Sequence, residues 1–271
     1  MTIDVLICTC GSGILKVSNV LTRSREDVRY IVSFQYDYEA ELNLIPEDLL
    51  SRKDVDVVKS KSHGLSVNRN NALRSSKGDI ILFADDDNRY TWGDFDRILY
   101  VFDERPDVDI VCFRSAGYDG VFCRDFPKES FNLNRMPHGY YVRSCEIAMR
   151  RRNDYPEFDE HFGLGSEYLA CGEEEVFIHD ALKQDFRIFY YPLTIVRTDS
   201  DTTGSQFNKL AAVRRSKGAV LATIHGAAVA YLHVIKYAAF HVRGMSRLVA
   251  LKDMCKGIAY AKKIGRCWYL L

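Results

Sequence analysis

The sequence has no C-x-x-C pair and no histidine cluster with zinc-ligand spacing. Its eight cysteines are scattered, with only Cys8 and Cys10 close together, so they read as reduced, mostly buried small hydrophobes and not as metal ligands. No basic-then-apolar leader with a small-residue cleavage site follows Met1. Instead "MTIDVLICTC" runs straight into what reads as a strand, and the cytosol is the expected compartment. No internal repeat or low-complexity tract stands out. At 271 residues, 47% hydrophobic and 12% aromatic, the chain can bury a large core as one sizeable α/β domain or as one domain with an appendage.

A net charge is also lacking, but the balance hides an asymmetry. Residues 211–271 carry eleven Lys and Arg against Asp253 alone, a net +10, so residues 1–210 carry −10. An acidic body with a basic tail suggests two partners, a cation-assisted site in the body and an anionic surface for the tail.

Three runs in the first hundred residues read as buried parallel strands: "DVLICTC", "RYIVSFQ" and "DIILFA", with "DVDVVKS" between the second and third. Ile14 to Arg25 fits a short helix, and "GLSVNRNNALRSS" reads as a loop followed by a helix. This alternation predicts an open, Rossmann-like wound sheet, mostly parallel and flanked by helices. "TWGDFDRILYVFDERPD" then reads as an amphipathic helix, "VDIVCFRS" and "SCEIAMRRR" as strands, "CGEEEVFIHDALKQ" as a helix and "FRIFYYPLTIVR" as a final strand. Between them, residues 116–140 are rich in Gly, Pro, Asn and aromatics and read as an active-site loop or small hairpin, with His138 as a candidate residue.

Ligands of wound sheets bind beyond the carboxyl ends of the strands, and Asp85, Asp86 and Asp87 stand at such an end. Three adjacent carboxylates repel one another unless a cation neutralises them, and Mg²⁺ or Mn²⁺ is commonly held by one or two carboxylates plus substrate phosphates.

The segment "SHGLSVNRNNALRSSKGDIILFADDDN", from Ser62 to Asn88, resembles the family 2 glycosyltransferases of the GT-A fold. That family shows a similar Gly-x-Ser-x-x-Arg-Asn segment, a Lys-Gly-Asp strand entry and a strand-terminal Asp-x-Asp. The matching positions are Gly64, Ser66, Arg69, Asn70, Lys77, Gly78, Asp79, Asp85 and Asp87. A second match, in "DEHFGLGSEYLACGEEEVFIHDALKQ", covers Phe162, Gly163, Gly165, Gly172, Glu173 and Glu174.

The resemblance implies a role for each residue. Asp87 would ligate Mn²⁺ or Mg²⁺, with Asp85 sharing the metal or holding the ribose. Thr9, Gln35, Gly64, Ser66, Arg69, Asn70 and Asp86 would bind a nucleotide-sugar donor, and Arg69 would pair with the diphosphate or orient the base. Glu174 would take the acceptor hydroxyl proton while Glu173 positions the acceptor, giving a single displacement with inversion. One departure stands at Arg197, where many relatives place a histidine that can complete the metal site; a cation cannot ligate a metal. Asp199 or Asp201 would then supply an oxygen, or Arg197 would contact the diphosphate, or the metal would keep more water and substrate ligands.

The expected organisation is a GT-A catalytic domain over residues 1–210, with the nucleotide-binding part to about 115 and an acceptor part beyond it, and a basic helical region over 211–271. Within that region Ala219 to Val242 reads as one 24-residue apolar helix, long enough to span a membrane but costly to insert because of His225, His233, Lys236 and His241. It is therefore expected to pack on the domain or lie at a membrane interface. A basic amphipathic stretch with Leu248, Leu251, Met254, Ile258 and Tyr260 follows it. The expectation is an inverting glycosyltransferase using a UDP-sugar and a saccharide or lipid-linked saccharide acceptor, peripheral at the inner face of the cell membrane and binding no nucleic acid. The rival readings are a nucleotidyltransferase and a non-catalytic glycan-binding domain of the same fold.

Overall fold

The computed structural model describes residues 1–199 and 202–267. Its sheet is built from β1 (Ile3–Cys10), β2 (Val28–Gln35), β3 (Val55–Ser60), β4 (Ile80–Asp85), β5 (Ile110–Ala116), β6 (Phe131–Asn132), β7 (Ile147–Arg150) and β8 (Ile188–Arg197). Their spatial order is β3-β2-β1-β4-β7-β5-β8-β6. Strands β1 to β4 are mutually parallel, β7 runs antiparallel to both neighbours, and β5 is parallel to β8. Ile80 to Ala84 are all buried, as a strand covered on both faces requires, and this explains the unbroken apolar run. The register sets Cys8 beside Asp85 and Cys10 beside Gln35, so the carboxyl ends of β1, β2 and β4 share one edge.

The segment expected as a helix from Ile14 to Arg25 is instead a 3₁₀ helix over Gly11–Asn19. Its buried apolar residues, Ile14, Val17 and the capping Val20, recur every third position, which is the period of a 3₁₀ helix and not of an α-helix. Helices α1 (Glu47–Ser51), α2 (Leu65–Ser75) and α3 (Trp92–Glu104) complete the first part of the chain. Helix α3 starts in a capping box, where Asp94 accepts from the Thr91 backbone and hydroxyl at 2.7 Å each.

The later helices are α4 (Glu173–Lys183), α5 (Ala211–His225), α6 (Ala227–Phe240) and α7 (Arg247–Lys263). The apolar stretch from Ala219 to Val242 is therefore not one helix. Gly226, at φ +79°, turns the chain between α5 and α6. Among the described residues no helix is long and apolar enough to cross a membrane. Helices α5 and α7 approach so closely that a Cβ on Gly218 would lie 1.9 Å from the Met254 carbonyl oxygen, and one on Gly257 would lie 1.9 Å from that of Arg215. Arg214 and Asp253 form a buried ion pair at 2.8 Å across the same two helices.

Two compact units emerge. The first holds the whole sheet with α1 and α3, and the second holds Gly64–Ser66, Phe158–His179 and the C-terminal helices. This division differs from the one expected at residue 210. Phe162, Leu169 and Val176 belong to the apolar cluster of Ala219, Ala222, Val234, Met254 and Ile258, so the loop before α4 shares its core with the C-terminal helices.

Candidate active site

In the first unit the carboxylate triplet begins where β4 ends, and each of its members has a defined setting. Asp86 accepts from the Thr9 hydroxyl at 2.6 Å, which ties the triplet to the end of β1. Asp85 lies 3.3 Å from Nη2 of the buried Arg69, which also donates to Ser144 at 2.6 Å. Asn88 is fully buried; its carbonyl oxygen accepts from the Asp85 backbone at 2.9 Å and its amide donates to Asp87 at 3.1 Å. The Asp87 carbonyl accepts from the Tyr118 hydroxyl at 2.6 Å and from Arg89 at 3.0 Å.

Burial, followed by the charges of Asp85, Asp86 and Asp199, pushes the Asp87 carboxyl above its ordinary pKa. Burial also raises Asp86, with Asp85 adding to the shift while the Thr9 hydrogen bond and Lys16 oppose it. A cation at this edge would reverse the repulsion. The donor set is hard oxygen, which suits Mg²⁺ or Mn²⁺. Among the described residues no three His, Cys, Asp or Glu side chains form a group that could hold a metal. An ion at this strand end would be held by one or two carboxylates, with its other ligands drawn from substrate and water.

The other sequence-predicted donor residues fall into two groups. Thr9 and Gln35 share the sheet edge with Asp85; Gln35 is buried and donates to Ser62 at 2.9 Å. Asn70 is buried in α2, one residue from Arg69. Arg197 lies at the end of β8, but its guanidinium is bonded to Asp94 at 2.8 Å, inside the cap of α3. A direct bond from Arg197 to a diphosphate would require it to leave that pair. Asp199 contributes to the field at Asp87, whereas Asp201 lies outside the described residues. Lys77, Gly78 and Asp79 are occupied structurally. The Lys77 and Gly78 amides donate to Asp4, the latter at 2.8 Å, and Asp79 accepts from the Thr2 amide at 2.8 Å.

The second unit brings Ser66, Gly163 and Glu173 together. Ser66 donates to the Phe162 carbonyl at 2.7 Å, and the Leu65 amide donates to that of Leu164 at 2.8 Å. Gly163 has φ +101°, and a Cβ there would lie 2.9 Å from Ser66 Oγ and 3.2 Å from the Glu173 carboxyl carbon. This position needs glycine for both conformation and space. Gly64 and Gly172 also adopt left-handed backbone. Glu173, Glu174 and Glu175 form the first turn of α4, where the helix dipole favours negative charge. Glu173 is buried, while Glu174 is half-exposed and so the more accessible of the two. Asp159, the other carboxylate of this segment, is bound by Arg266 at 2.9 Å and by His161 at 2.8 Å.

Sequence reasoning missed three contributors. Asn88 follows the triplet directly, and its position was the available signal. Gly13 matters because a Cβ there would fall 2.2 Å from an Asp86 oxygen and 2.5 Å from Thr9 Oγ, so only glycine lets those two groups meet. Tyr118 comes from the loop after β5, and no spacing in the sequence links it to Asp87. His138 lies beyond β6, outside the loop that carries Tyr118, and is exposed. Arg124 anchors that loop to the buried Glu146 at 2.5 Å.

Among curated proteins no sequence match is found. Solved structures of S. aureus TarS share the fold. Its residues 1–349 superpose with a TM-score of 0.59 at 18% identity, covering 95% of this chain and 81% of that one. The same portion in complex with UDP-GlcNAc gives 0.59 at 17% identity, covering 95% and 82%. Its complex with UDP gives 0.55 at 16% identity, covering 95% and 81%. The eight-stranded mixed sheet flanked by helices is thus the GT-A fold. The family model for glycosyl transferase family 2 matches residues 21–158, half of the chain, including the segment that carries Arg69 and the carboxylate triplet, and the chain belongs to that family of glycosyltransferases.

Proposed function

We propose that the protein is an inverting, hexosyltransferase-type enzyme (EC 2.4) that moves a sugar from a UDP-sugar to a saccharide or lipid-linked saccharide acceptor by metal-assisted single displacement. One observation carries this reading: in a family 2 chain, three carboxylates stand at the carboxyl end of β4, with Thr9 bonded to one and Arg69 beside another. The complexes of TarS with UDP-GlcNAc and UDP support the choice of donor.

Asp87, with Asp85, would hold Mn²⁺ or Mg²⁺, which when bound supplies positive charge to the diphosphate leaving group. The protein's own residues supply the remaining parts. Thr9 fixes Asp86, Asn88 fixes Asp85 and Asp87, and Arg69 offers a planar donor fork at the same strand end. Gln35 and Asn70 are buried polar groups that serve the nucleoside, and Gly64 and Ser66 shape the start of α2. Glu174 takes the proton of the acceptor hydroxyl and Glu173 orients the acceptor. A lone carboxylate base of this kind gives one displacement and inversion at the sugar carbon.

The test is thermal stabilisation and calorimetry with a panel of nucleoside diphosphates, with and without Mn²⁺. UDP should bind only in the presence of the cation, because the repelling carboxylates otherwise face a diphosphate unscreened, and Asp87→Ala should abolish that dependence. Equally tight UDP binding in EDTA, unchanged in Asp87→Ala, would overturn the assignment of this edge.

A further inference from the structure

Helix α6 exposes large apolar side chains, beside His233 and Lys236, as well as burying an apolar face. Ala227, Ala230, Val234 and Ala238 are buried on one face, while Leu232 and Ile235, three residues apart on the opposite face, are 69% and 53% exposed. A helix on the surface of a globular unit normally turns polar residues outward. The apolar surface continues at the connection into α7, where Phe240 is 69% and Leu248 78% exposed. Four exposed cations accompany it: Lys236, Arg243, Arg247 and Lys252. Among the described residues none of the four forms an ion pair, and Asp253, the one Asp or Glu in residues 211–271, is buried against Arg214 at 2.8 Å.

We propose that this face of α6 and the start of α7 docks on an anionic lipid surface. Exposed aliphatic and aromatic side chains flanked by unbalanced cations match a headgroup layer, which offers apolar depth beneath a negative plane. A second copy of the same face would bring like charges together. A nucleic-acid backbone offers no apolar counterpart to Leu232, Ile235 and Leu248. The α6 helix, at 14 residues, spans roughly 21 Å, short of a bilayer core of about 30 Å, so it lies along the interface and does not cross it.

The experiment is co-sedimentation of the full chain with phosphatidylcholine vesicles, with and without phosphatidylglycerol, at low and high ionic strength. The protein should bind the anionic vesicles at low salt, ignore phosphatidylcholine alone and release as salt rises. Replacing Arg243, Arg247 and Lys252 by Gln should weaken binding about fivefold per residue, near 10²-fold together. The combined Leu232→Ser, Ile235→Ser and Leu248→Ser variant should lose binding while keeping wild-type far-UV circular dichroism and melting temperature, since all three side chains project outward. No binding to anionic vesicles would overturn the proposal, as would serine variants that bind like wild type. Sedimentation velocity showing a dimer that the serine variants dissociate, without vesicle binding, would reassign the face to self-association. Tighter binding to duplex DNA than to the vesicles would reassign it to nucleic acid.

Discussion

Glu175→Gln should change stability in a pH-dependent way whose sign is fixed by the first turn of α4. Burial, followed by the neighbouring charge of Glu174, pushes the Glu175 carboxyl from its ordinary 4.5 up to about 7, with a helical backbone amide and Lys217 partly opposing the shift. Lys217 is itself held below the usual amine value by burial, with Nζ 4.3 Å from the centroid of the Tyr237 ring. Between pH 4.5 and 7 the unfolded chain has released this proton and the native protein still holds it, so the native state binds more protons and stability falls as pH rises. The contribution is fully present below 4.5 and lost as pH passes through about 7. A shift of about 2.5 units corresponds to up to about 3 kcal/mol. Gln imitates the neutral carboxyl at every pH. Wild type and Glu175→Gln should therefore have equal stability near pH 4.5, and the variant should gain up to about 3 kcal/mol at pH 8. Urea unfolding followed by circular dichroism across that range reads the difference directly, and comparing the two proteins cancels the titrating groups that do not interact with Glu175. A constant offset between the two curves, or a variant less stable at pH 8, would refute the half-buried, proton-holding carboxyl.

Two further outcomes follow from the same part of the chain. Glu174→Gln preserves shape and removes the proton acceptor, so sugar transfer should fall by about 10²–10⁴-fold with UDP affinity nearly unchanged; near-normal turnover would move the base to Glu173. Gly257→Ala puts a methyl 1.9 Å from the Arg215 carbonyl oxygen, and rigid helix backbone lies on both sides. The α5–α7 contact must open, at a cost of about 3 kcal/mol or more, whereas Ala259→Ser on the exposed face of α7 should be neutral by thermal melting.

The strands were legible because burial on both faces demands continuous apolar runs. Ile80 to Ala84 read as a buried strand, and an open wound α/β sheet followed from the alternation of such runs with helical segments, while the GT-A fold was implied by the resemblance of Ser62 to Asn88. The carboxylate triplet was legible for the same reason: a strand end in a wound sheet is a defined place, and three adjacent aspartates there are chemically conspicuous. The antiparallel direction of β7 was not legible. Four residues of "IAMR" carry no mark of orientation, which the chain path through the loop after β5 decides. The 3₁₀ helix at Gly11–Asn19 was misread because apolar residues at intervals of three also satisfy part of an α-helical pattern.

What the sequence conceals are the pairings that give motif residues their purpose. In "SKGDIILFADDDN" every residue from Lys77 to Asp79 matches the family pattern as well as Asp85 and Asp87 do, yet the structure separates them. The first group is spent on Asp4 and Thr2 at the start of the strand, and the second faces the sheet edge at its end. Thr9 and Asp86 are 77 residues apart, and their 2.6 Å bond exists only because Gly13 has no side chain to fill the space between them. Arg197 makes the same point from the other side. It stands where many relatives place a histidine that can complete the metal site, a role a cation cannot take, and its guanidinium is bonded to Asp94 in the cap of α3. A motif thus names the residues that meet at a strand end, and long-range bonds of this kind decide which of them are left to meet a substrate.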